Sequence, residues 1–84
     1  MSTETDRKLM ELVLLDAFKM ENIEEVYVKV NSEFVYIAFK AEHTIRQINI
    51  VDNIVRDIVP CIEYSIREFV LHGLWSINYY FGEP

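Results

Sequence analysis

Two kinds of spacing divide the chain. Val26 to Val30 reads VYVKV and Phe34 to Phe39 reads FVYIAF, both alternating along one strand period. Successive strand side chains point to opposite faces, so Val26, Val28 and Val30 share a face with Val35, Ile37 and Phe39 on the next strand. Tyr27, Lys29, Phe34, Tyr36 and Ala38 fall on the other. Asn31-Ser32-Glu33 is short enough to close a hairpin between them.

Apolar residues recur every three or four positions in two other stretches, which predicts helices. The first runs from about Asp6 to Met20. Thr3 and Thr5 are candidate N-caps, and Glu4 and Asp6 suit the positive end of the helix dipole. Leu9, Met10, Val13, Leu14, Ala17 and Met20 fill one broad face, with Lys8, Glu11 and Lys19 opposite. Leu15 lands among those charges and Leu12 at their border, so this helix is apolar nearly all round. Two isolated surface leucines need no explanation; the alternative is a second contact face for another subunit. The second helix spans about Thr44 to Val59 and ends before Pro60. Ile45, Ile48, Val51, Val55, Ile58 and Val59 share one face, with Ile54 at its edge. Arg46, Asn49, Asn53, Arg56 and Asp57 line the other. Its many β-branched residues lower helix propensity, so packing on a sheet must hold it.

From Ile62 the chain alternates again, with Tyr64 and Ile66 in phase and a phase change near Arg67-Glu68 that suggests a bulge. His72-Gly73 reads as a tight turn. After it Trp75, Ile77, Tyr79 and Phe81 alternate with Leu74, Ser76, Asn78 and Tyr80, and Gly82-Glu83-Pro84 ends the run. A helix from Phe69 to Phe81 competes, but Gly73 in its middle and the aromatic bias favour a strand.

The predicted fold is therefore α+β: one domain over residues 1–84, in αββαββ order. It is a two-layer sandwich with an antiparallel sheet of three or four strands and two helices on one face. The strand residues Val26, Val28, Val30, Val35, Ile37 and Phe39 should meet Leu9, Val13, Ala17, Ile48, Val51, Val55 and Ile58. Glu33-Phe34-Val35 recurs as Glu68-Phe69-Val70, but the helix starts are offset differently, so we read no duplication.

Composition changes this picture in one respect. The chain has 84 residues, of which 51% are hydrophobic and 13% aromatic. A domain this small hides only about 60% of its unfolded surface, so some apolar residues must remain outside. A contiguous patch of that kind marks an interface, and we expect a homo-oligomer or a complex with another protein. The net charge of −6 disfavours nucleic acid and anionic membranes as partners. A single cysteine, Cys61, excludes an internal disulfide. With no signal-peptide pattern and no apolar run long enough to span a bilayer, we expect a cytoplasmic protein.

Candidate chemistry is sparse. His43, Cys61 and His72 lack the close-spaced pairing of a zinc site or a Cys-His nucleophile. Glu21, Glu24 and Glu25 form a solvated connector, without the pattern of a calcium loop. Two glycines cannot build a phosphate loop. We expect no enzyme activity, no metal and no cofactor. The outward aromatics could stack single-stranded bases, but too few basic residues accompany them. The expected function is a non-enzymatic protein–protein interaction module, a small adaptor or regulator. Its surface would comprise Tyr27, Phe34, Tyr36, Leu15, Trp75 and Tyr80. Two alternatives are an acidic inhibitor mimicking nucleic acid, and a dimeric ligand-binding protein with its site at the subunit junction.

Overall fold

A computed structural model of the chain describes residues 3–23, 25–41, 44–71 and 73–82. Its elements run α1 (Glu4–Met20), β1 (Val26–Val30), β2 (Phe34–Lys40), α2 (Thr44–Ile58), β3 (Ile62–Leu71) and β4 (Leu74–Phe81). The strands form one antiparallel sheet in the order β1-β2-β4-β3. This is the α+β architecture expected from the spacing, with four strands. The run after Gly73 is a strand, β4, and it lies inside the sheet between β2 and β3.

Local chemistry sets each boundary. α1 begins two residues before the expected start because Thr3 Oγ1 accepts the Asp6 N–H at 3.0 Å. It ends in a Schellman turn. Asn22 takes the left-handed conformation at φ 61. Its N–H donates to the Lys19 carbonyl at 3.0 Å, and the Ile23 N–H donates to the Phe18 carbonyl at 2.9 Å. The apolar contact that accompanies such turns is present, as Phe18 and Ile23 both enter the core. In the β1–β2 hairpin, Asn31 Oδ1 accepts the N–H groups of Glu33 and Phe34, both at 2.8 Å. Gly73 turns the chain at φ 78 between β3 and β4, and its carbonyl accepts the Ala41 N–H at 2.9 Å.

The core lies between the sheet and the helices. Val28, Val30, Val35, Ile37, Phe39, Ile77 and Tyr79 come from the sheet. Ile48, Val51, Val55 and Val59 come from α2 and the residue just beyond it. Leu14 and Phe18 come from α1, and both are fully buried. Here the expectation needs correcting. Leu9 and Val13, assigned to the core, are 60% and 44% exposed, and Ile45 and Met20 are also outside. An all-round apolar helix has no unique inner face. Phe18, the bulkiest side chain available to α1, is tied at the C-terminal turn and rotates the helix so that Leu14 follows it inward.

The same rotation brings Glu11 to the sheet, where its Oε2 accepts the Val30 N–H at 2.9 Å. That N–H points away from β2. The next residue's N–H, that of Asn31, bonds inward to the Phe34 carbonyl at 3.0 Å, and alternate residues face opposite ways. α1 therefore packs along the outer edge of β1 and fills one of its outward groups. At the other edge of the sheet, β3 is exposed along most of its length, with only Ile62 and Ser65 half-buried. The expected phase change at Arg67-Glu68 is absent; register shifts occur between Ile62 and Tyr64 and between Phe69 and Leu71.

Candidate interaction surface

Register decides which side chains share the open face of the sheet. Tyr27 pairs with Ala38, Phe34 with Tyr80, and Tyr80 with Tyr64. Side chains of directly opposed residues lie on the same face, so these join Tyr36, two positions from Phe34. The rings touch in two groups. Tyr64 stacks on Tyr80 with centroids 4.7 Å apart and planes 15° from parallel. Tyr80 in turn lies 5.7 Å from Phe34 at a 49° tilt. Tyr27 and Tyr36 meet edge to face at 6.1 Å. Aromatic pairs at these separations contribute about 0.5–1.5 kcal/mol each beyond area burial.

The result is a band of aromatic rings crossing all four strands. Its middle members, Phe34, Tyr36 and Tyr80, shield one another, while Tyr27 and Tyr64 at its ends are 58% and 51% exposed. Polar and apolar residues surround it, Ile66, Leu71 and Leu74 among the latter. Lys29, Asn78 and Glu68 share the face, and Lys40 approaches Glu25 at 3.7 Å. That ion pair is exposed at both ends and contributes little to stability.

Four of the six residues expected on the surface thus come together: Tyr27, Phe34, Tyr36 and Tyr80. Leu15 and Trp75 lie elsewhere. Leu15 is half-buried and packed against the core. Trp75 pairs with Phe39 on the helix-covered side of the sheet and meets Phe69 edge to face at 5.4 Å. Tyr64 belongs to the band although alternation alone assigns it to neither face of the sheet. Its pairing with Tyr80 depends on the register shift between Phe69 and Leu71, since plain continuation of the Leu71–Leu74 pair would set Tyr64 opposite Phe81.

Titratable groups outside this face form one cluster. The Asp52 carboxylate receives the Arg56 Nε at 3.1 and 3.2 Å, one helical turn away. The Arg56 guanidinium lies 5.8 Å from the centroid of the Tyr79 ring and reaches Ser65 Oγ at 3.4 Å. Tyr79 Oη is buried without a hydrogen-bond partner. Burial first, and then the neighbouring Asp52 carboxylate, push this phenol far above the usual tyrosine range; Arg56 and Arg67 oppose that weakly.

Among the described residues no group of three or more His, Cys, Asp or Glu side chains is placed to hold a metal. Cys61 is exposed, at φ 66 between α2 and β3. His43, His72 and Glu24 lie outside the described residues, as do Glu83 and Pro84. No described helix is long and apolar enough to cross a membrane. Comparisons with known protein families, with curated proteins and with solved structures find no match.

Proposed function

We propose that the protein is a non-enzymatic interaction module, a small adaptor or regulator that works by holding other polypeptide chains. One observation carries the reading: a band of five aromatic residues, in two touching groups, lies on the sheet face that neither helix covers. Clustered, partly exposed aromatics have the composition of the centre of a protein–protein interface. The acidic-mimic alternative needs a stripe of carboxylates. The described ones are instead spread over α1, α2, the connector at Glu25, the hairpin at Glu33 and β3, which favours the interaction module.

The test uses the double variant Tyr27→Ser/Tyr36→Ser, at the β1 side of the band. A protein captured from native lysate by the wild-type chain is identified and purified. Its affinity is then measured for both forms, with circular dichroism confirming that the variant is folded. We expect affinity to fall at least about tenfold, equivalent to ~1.4 kcal/mol. Equal affinity would overturn the proposal.

A further inference from the structure

The interaction-module reading, on which this inference rests, leaves the partner open; the edge of β3 names one. β3 is the terminal strand of the sheet and runs ten residues, against five for β1 at the other edge. Its outward N–H and C=O groups form a template for another strand. Exposed edges in natural proteins are usually short, charged, bulged, broken by Pro or covered. β3 carries Glu63, Arg67 and Glu68 and is irregular near both ends, but it has neither Lys nor Pro, and Ile66, Phe69, Val70 and Leu71 are 44–58% exposed. Its two register shifts bracket a regular stretch from Tyr64 to Phe69.

We propose that β3 pairs antiparallel with β3 of a second copy of this chain, about a two-fold axis at Ile66, to make a continuous eight-stranded sheet. Charge narrows the register. In antiparallel edge pairing about a two-fold, directly opposed residues share a face, and the residue on the axis faces itself. An axis at Arg67 sets guanidinium against guanidinium, and one at Glu68 sets carboxylate against carboxylate, which destabilises. An axis at Ile66 sets isoleucine against isoleucine, Tyr64 against the second copy's Glu68, and Ser65 against its Arg67. It also uses nearly the whole strand. Size agrees with this occupant. The exposed parts of Tyr64, Ile66, Phe69, Val70 and Leu71 come to roughly 500 Å², more than half of the ~800 Å² that each side of a standard interface buries. The pairing keeps the open faces of both sheets on one side, so the two aromatic bands become one surface.

Light scattering of the reduced wild-type chain should read twice the mass of one chain, and Ile66→Lys should read one, with its circular dichroism unchanged. Register is read separately by cross-linking, because opposed strand residues sit within the Cα separation a disulfide accepts. With Cys61→Ser as background, Ile66→Cys should oxidise to a covalent dimer, and Lys29→Cys on β1 should not. A wild-type chain that stays monomeric at high concentration overturns the proposal. So does a dimer that survives Ile66→Lys, or one in which position 29 links as readily as position 66. Tyr27→Ser/Tyr36→Ser should leave the mass unchanged. A dimer split by that variant and not by Ile66→Lys would place self-association on the aromatic face, sinking the edge proposal while sparing the face.

Discussion

Replacing Tyr79 with phenylalanine should stabilise the protein. Tyr79 is fully buried, opposite Val35 on β2 and Ser65 on β3. Its hydroxyl is cut off from water and makes no hydrogen bond of good geometry, although the Asp52 carboxylate lies close enough to act on it. Such a group costs about 1–3 kcal/mol. Tyr79→Phe removes it and keeps the ring, its packing and the guanidinium over its face. Removing one oxygen also forfeits a little dispersion attraction, about 0.1–0.2 kcal/mol per neighbouring atom, which offsets part of the gain. We expect the variant to be more stable by about 1 kcal/mol, which for a domain of this size raises Tm by about 4–8 °C. Urea unfolding at neutral pH measures it directly.

A second signature comes from pH. The folded phenol is raised above its ordinary value, whereas the unfolded one ionises near pH 10 as usual. Above that pH the unfolded state binds fewer protons than the folded state, so stability falls as pH rises. The contribution is fully present below about pH 10. The wild type should then lose up to about 1.4 kcal/mol per pH unit relative to Tyr79→Phe. A variant less stable than the wild type by about 1 kcal/mol or more would refute the reasoning, since the hydroxyl would then be hydrogen-bonded. A pH dependence parallel to that of the wild type would refute the second part.

Two further outcomes test the fold. Leu14→Ala, which empties a fully buried site on α1, should cost about 2–5 kcal/mol, while Leu9→Ala, earlier on the same helix and mostly exposed, should stay within about 0.5 kcal/mol; similar losses at both positions in urea unfolding would mean the helix sits in the orientation its apolar spacing suggests. Gly73→Ala places a Cβ in ordinary van der Waals range, 3.5 Å from the Ala41 carbonyl, so only the left-handed backbone opposes it; thermal melting should show a loss of about 1–2 kcal/mol, and no loss would mean the turn relaxes into another conformation.

The elements legible in the sequence are those with two unlike faces. β1 and β2 alternate cleanly because one side faces the core under the helices and the other does not, and this places Tyr27, Phe34 and Tyr36 on the open face. α2 is readable for the same reason, despite its β-branched residues: Ile48, Val51 and Val55 trace one buried line. α1 is not, because Leu9, Leu12, Val13, Leu14 and Leu15 surround it and hydrophobicity alone ranks no face above another. Its orientation depends on Phe18 at the closing turn and on Glu11 at the strand edge, and the two are connected only through tertiary structure. β3 misleads for the opposite reason. Exposed on both sides, its alternation carries little information about register, so the expected bulge at Arg67-Glu68 is displaced to either end. Strand order is also invisible, since four alternating segments can neighbour one another in several ways, and with it goes the ring stack of Tyr64 on Tyr80.

The Glu11 carboxylate at the outer edge of β1 bears on how large any assembly can grow. A sheet with two usable edges adds copies without limit, as fibrils do. Here one edge is short, lies along α1 and has an outward N–H already occupied. Only the β3 edge remains, and a two-fold junction consumes it in both copies at once. In the proposed pair neither margin is left able to recruit, so growth would stop there. On this view α1, with Glu11 on the Val30 N–H, acts as a chain terminator for polymerisation.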